Sequence, residues 1–150
     1  MPKIQIALEH FSCALRLYLH ERCYYSALHL AGAAEEHFSG CLKDIPNCNL
    51  RTHFEEIKAF SAHFVEPGDS FDESAIGRLM NDAKNAVKHP NLEFKGDPEE
   101  EAADMIDRAI GARTKLYHYA PESAELTGFP SALVSEFLDT RSSQRTHRTI

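Results

Sequence analysis

Apolar residues return every three or four positions along most of this chain, which is the spacing of one buried face on an α-helix. Ile4, Leu8, Phe11, Leu15 and Tyr18 draw the first stripe and predict a helix from Lys3 to about Glu21. Tyr24, Leu28, Ala31, Phe38 and Leu42 draw the second, from about Cys23 to Lys43. The junction at Arg22 contains neither proline nor glycine, so continuous and kinked forms both fit. Asp44-Ile45-Pro46-Asn47 ends the second helix. A short third helix spans about 50–65, with Phe54, Ile57, Ser61 and Phe64 inward, and Glu66-Pro67-Gly68-Asp69 stops it. Ser70 stands three residues before Glu73, a capping box that opens a fourth helix; Pro90 closes it after His89. Asp97-Pro98-Glu99-Glu100 opens the fifth, with a cap, a first-turn proline and acids at the positive end of the helix dipole. Ala103, Ile106, Ile110 and Tyr117 are its expected inward residues, and Pro121 closes the compact part.

Residues 130–138 form a short further helix through Leu133, Val134, Phe137 and Leu138; from Thr140 the chain is polar and basic and is expected to be disordered. No hairpin turn separates two alternating apolar runs. The expected fold is all-α: an antiparallel bundle of about five helices over 1–120, a short helical extension over 121–139 and a basic tail over 140–150.

Composition narrows this picture. A chain of 150 residues, 43% hydrophobic, is one ordinary domain with enough apolar side chains for a core. No apolar run approaches the ~20 residues that span a bilayer, and the N-terminus lacks the pattern of a signal peptide. The expected compartment is the cytoplasm, with no membrane partner. Cys13, Cys23, Cys41 and Cys48 have no zinc-knuckle spacing and read as buried thiols. The net charge is −7, and the last ten residues carry Arg141, Arg145 and Arg148 without an acid, so residues 1–140 carry −10. An acidic body argues against sequence-blind adhesion to nucleic acid, though not against one local basic patch.

Candidate chemistry is sparse. A di-metal bundle would use Glu-x-x-His on facing helices, and no histidine here has an acid three residues before it. His-Glu-x-x-His and glycine-rich phosphate loops are also missing, so no metal and no cofactor are expected. The fourth helix differs. At about 100° per residue, Ile76, Leu79, Met80, Ala83 and Val87 take one face. Arg78, Asp82, Asn85 and His89 gather at the opposite pole, with Asn81, Lys84 and Lys88 on one flank. This face is either a solvated surface or a site. Glu35 and Arg113 break the apolar stripes of the second and fifth helices. A buried charge needs a partner, so Glu35 pairs with Arg113 or Lys84 across the core, or each head group reaches water at the rim.

The run from Tyr24 to Glu36, followed by Leu42-Lys43, resembles the second helix of HEPN domains (higher eukaryotes and prokaryotes nucleotide-binding). Asn81-Asp82-Ala83-Lys84-Asn85-Ala86-Val87-Lys88-His89 resembles that family's signature helix, in which an arginine and a polar residue precede a histidine. The likeness covers roughly residues 5–118. It implies a HEPN-like bundle acting as a homodimer, either a metal-independent endoribonuclease or a non-catalytic module that binds a nucleotide, RNA or cognate protein. On the nuclease reading His89 is the general base, Asn85 positions the phosphate, and Lys84 with Lys88 stabilises its charge. Arg78, Asp82 and Lys88 would serve binding. Lys84 stands where the family has arginine, and an ammonium lacks the two-pronged grip of a guanidinium on phosphate. This departure favours the binding module.

Overall fold

The computed structural model describes residues 3–45, 53–62, 73–119 and 128–148. Its regular elements are six helices: α1 (Lys3–Arg16, continued by a π-helical turn, Leu17–Glu21), α2 (Tyr24–Lys43), α3 (His53–Ala62), α4 (Glu73–Lys88), α5 (Pro98–Tyr119) and α6 (Ser131–Arg148). The described residues contain no strand. None of these helices is long and apolar enough to cross a membrane.

The first two helices are separate. The last turn of α1 widens to i→i+5 hydrogen bonding, and Arg22 takes a left-handed conformation with φ 55°. The Arg22 and Cys23 amides both donate to the Leu17 carbonyl, which closes the helix as a Schellman turn does. An arginine fills the position that usually takes glycine, so sequence alone gave no sign of the break. The chain reverses there, and α1 lies antiparallel on α2 through Tyr18 against Tyr24, Phe11 against Phe38 and His10 against His37.

Helix α2 is the centre of the molecule, packed on α1 and α5. Its buried side is rich in small residues (Ala27, Ala31, Gly32, Ala34), and α5 answers with Ala102, Ala103, Ala109 and Ala112. Small side chains let helix axes approach closely, while Leu28, Phe38, Met105, Ile106 and Leu116 fill the space between. These two helices run parallel: Glu35 meets Arg108, and Ser39 and Leu42 meet Ala112 and Lys115 further along both. The antiparallel expectation holds for α1 on α2, but not for this central pair. The α2-to-α5 connection makes this possible because it contains α3 and α4. Helix α4 lies across from α2, joined by Lys84 and Lys88 to Glu36.

Asp97 caps α5 as its sequence implies, its carboxylate accepting the Glu100 amide at 2.9 Å. Tyr117, expected inward, is exposed. The buried side of α5 follows Met105, Ala109, Ala112 and Leu116, and Tyr117 stands about 100° around the helix from Leu116. Cys23, expected buried, is exposed at the hairpin, while Cys13 and Cys41 are half-buried and free. Cys48, the Ser70 cap, Pro121, and the side chains of Phe54, Ser61, Phe64, Ile76 and Leu79 lie outside the described residues.

The C-terminal segment departs most from expectation. A short helix and a disordered tail were expected, but one helix runs from Ser131 to Arg148. Phe137 is fully buried against Tyr18. One turn further on, Arg141 bridges Asp104 (2.8 Å) and Asp107 (3.1 Å) of α5, and Gln144 donates to Glu99 at 3.3 Å. Arg141 and Gln144 of the tail thus find acids on α5, which offsets the cost of ordering a polar helix. Truncation of Phe137 tests this docking. Phe137→Ala is expected to cost about 3 kcal/mol, with amide-exchange protection falling first and most in α6. Uniform loss across all helices would show that α6 is not the element held by this side chain.

Candidate functional site

Buried charge collects where α2, α4 and α5 meet. Glu35 is 7% exposed. Its Oε1 accepts the Ser39 hydroxyl at 3.1 Å, and its Oε2 lies 3.7 Å from Arg108 Nη2. Arg108 also donates through Nη1 to the Met80 carbonyl at 2.9 Å, tying α5 to the backbone of α4. Its Nε is buried without a hydrogen-bond partner among the described residues. The cation that Glu35 requires is therefore Arg108, not Arg113 or Lys84. Arg113 is half-buried and lies over the Phe129 ring (3.9 Å) and the Tyr117 ring (4.9 Å), a cation–π arrangement.

Lys84, expected on a flank between the core and the polar pole, is one of the most buried polar residues at 5% exposure. Its ammonium donates to Glu36 Oε1 at 2.5 Å, and Lys88 Nζ stands 3.8 Å from the same oxygen. Its aliphatic stem crosses α2 at Gly32. A methyl group there would lie 2.5 Å from Lys84 Cδ and 2.7 Å from Cγ. Gly32 is thus the gap through which α4's lysine passes. Burial raises the Glu36 carboxyl, but the hydrogen bond and charge of Lys84, with Lys88 and His37, outweigh it and hold the carboxyl below its ordinary 4.5.

The other residues of α4 go to another side. Arg78, Asp82 and His89 are exposed and Asn85 is half-buried. Helical spacing keeps Arg78, Asp82, Asn85 and His89 within about 40° of one direction, while Lys84 stands about 140° away from His89. His89 follows the last helical residue, its amide donating to Asn85 and its carbonyl accepting from Leu92. The structure groups Asn85 with His89, groups Lys84 with Lys88 at Glu36, and separates the two groups. No group of three or more metal-ligating side chains occurs among the described residues. Arg108 was missed at the level of sequence, although a carboxylate in an apolar stripe did signal that some cation had to meet it.

A cleft of about 250 Å³ opens beside Lys84, between α2, α4 and α5, with Gly40 and Lys43 on its α2 side and Asn81 on its α4 side. Nothing lies within 4 Å of the position a Gly40 Cβ would take.

Two measurements test this account. Gly40→Ala is expected to stabilise by about 0.5–1 kcal/mol, because alanine has less backbone entropy to lose in a helix. Gly32→Ala gains the same term but collides with Lys84, and is expected to destabilise by about 1–2 kcal/mol net, a loss that Lys84→Ala in the same chain removes. Equal stabilisation by both alanines in urea titrations would refute the packing of Lys84 over Gly32. The second concerns pH. Glu36 has a folded-state pKa below the unfolded one, so its contribution is present above about pH 4.5 and fades as pH falls through the folded value. Half of its side chain is exposed, so solvent screening keeps the contribution small. Glu36→Gln is expected to lower stability at pH 7 and to narrow its gap from the parent near about pH 3; a gap independent of pH would refute the ion pair's role.

The chain matches no known family model, no curated protein and no solved structure.

Proposed function

We propose that this chain is a HEPN-like helical module that acts as a homodimer and binds a macromolecular partner without cutting it. The observation that carries this reading is the place of Lys84. The nuclease reading needs a cation and a base at one phosphate, yet Lys84 is buried and its ammonium is already engaged by Glu36. Arg78, Asp82, Asn85 and His89 then form a mixed polar face suited to recognition. The acidic charge of residues 1–140 supports a selective contact rather than general adhesion to nucleic acid.

One observation favours metal-independent RNA cleavage as a second reading: Asn85 and His89 share an accessible face with Arg78. Incubation with mixed RNA in the presence of a chelator separates the two. No cleavage by the parent chain is expected. Cleavage by the parent that disappears in His89→Ala would overturn the binding reading and assign His89 as the base. Light scattering tests the dimer, and a monomer at high concentration would remove it.

A further inference from the structure

The cleft beside Lys84 has the makings of an anion site, and it lies on the flank of α4 that carries Asn81 and Lys84. Three cationic side chains line it: Lys84, Lys43 and Arg108. Two carboxylates are present, but Glu35 is already engaged by Arg108 and Ser39. Among the described residues the acid directed at the lysines is Glu36, and its side chain is 49% exposed. One Glu36 oxygen receives Lys84 and faces Lys88 as well, so a single half-exposed carboxylate serves two ammonium groups. With Glu35 held by Arg108, the lining sets Lys84 and Lys43 against Glu36, which leaves positive charge in excess. Lys84 itself is 5% exposed and is threaded into place over Gly32, so the cation is held by packing rather than waving on a surface. Beside it, the bare backbone of Gly40 has open space above it. At about 250 Å³ the cleft is smaller than the pockets that enclose drug-sized ligands, and it suits a compact group.

We infer that this cleft is a seat for a phosphate dianion, and that Glu36 occupies its cationic end until the anion arrives. A dianion offers twice the charge of a carboxylate and further acceptor oxygens, enough to engage Lys84 and Lys43 together. On binding, the phosphoryl group settles over Gly40 and Glu36 swings to solvent, where half of it already stands. No bond is made or broken. The seat rests on the cleft alone and is independent of the family resemblance. A cleaving or monomeric protein would leave it standing.

The test uses the full chain at constant ionic strength, with inorganic phosphate and glycerol 2-phosphate as probes and chloride and sulfate as comparisons. Amide chemical shifts and the melting temperature are the readouts. Saturable shifts centred on Gly40, Lys43 and Lys84 are expected near pH 8. Binding is expected to weaken toward pH 5.5 as the phosphomonoester takes up a proton, since its second pKa is about 6. Lys43→Gln, at the exposed end of the cleft, is expected to weaken binding about fivefold while leaving the fold intact. Gly40→Glu puts a carboxylate in the seat and is expected to abolish binding. Glu36→Gln removes the competing charge and is expected to tighten binding about tenfold. This gain of affinity sets the proposal apart from general attraction to lysines, and it does not depend on a variant that fails to fold. Binding by both phosphate probes supports a seat for the phosphoryl group, and binding by inorganic phosphate alone supports a seat closed to esters. Absence of saturable shifts, equal response to chloride, or weaker binding by Glu36→Gln would overturn it.

Discussion

An ammonium group gives up several kcal/mol of hydration when it leaves water, and Lys84 has left it almost entirely. Two features of α2 make its position tenable. Gly32 removes the side chain that would block the lysine's stem, and Glu36, one turn on, places a carboxylate at its tip. Because these residues are four apart, they lie one above the other on the helix face that α4 crosses. The same contact fixes the rotation of α4. Once Lys84 is seated, Asn85, about 100° further round the helix, faces a different side. Arg108 adds a second fixed point by holding the Met80 carbonyl of α4 and the Glu35 carboxylate of α2 with one guanidinium. Removing one partner of a buried pair such as Glu35 and Arg108 strands a charge, so the polar layer penalises any arrangement that separates α2, α4 and α5.

The apolar core carries a different part of the work. Alanines on α2 and α5 bring the two helices close, and the large side chains Phe11, Phe38, Ile106 and Leu116 are completely enclosed around them. Hydrophobic burial is non-directional, and it holds the helices together without deciding which way they run. Direction comes from the connections. A tight Arg22 turn forces α1 and α2 antiparallel, whereas the long passage through α3 and α4 brings α5 back parallel to α2. Helix α6 then closes on α5 through charge, with Phe137 as its apolar anchor.

What could be read from the sequence follows the same division. The stripes of α1 and α2 were legible because periodicity reports directly on the buried face, and all of Leu8, Phe11, Leu15, Leu28, Ala31 and Phe38 are in the core. The cap at Asp97 was legible because its chemistry is local. The break at Arg22 was not, since a non-glycine residue took the left-handed position and no composition signal marks that choice. The α6 helix beyond Thr140 was not, because its polar sequence is ordered by acids more than 30 residues away on α5. Glu35 showed that a cation was needed, but Arg113 stands nearer the middle of the α5 stripe than Arg108 does. Only the placement of α4 and α2 on the Arg108 flank decides between them. Lys84 is the sharpest case. On its own helix it sits at the margin of the apolar face, and its burial depends on a glycine 52 positions earlier.

This dependence bears on function through the geometry of α4. Cleavage of a phosphodiester without a metal asks one phosphate to meet a base and a cation at once. On α4 the Lys84 ammonium is committed to Glu36, while His89 stands exposed just beyond the helix end. Turning the helix to bring Lys84 round would strip it from Glu36, drive its stem out of the Gly32 gap and break the Arg108 bond to Met80. Recognition asks for less: a surface of fixed shape and charge. The buried polar layer supplies that fixity to the exposed side of α4.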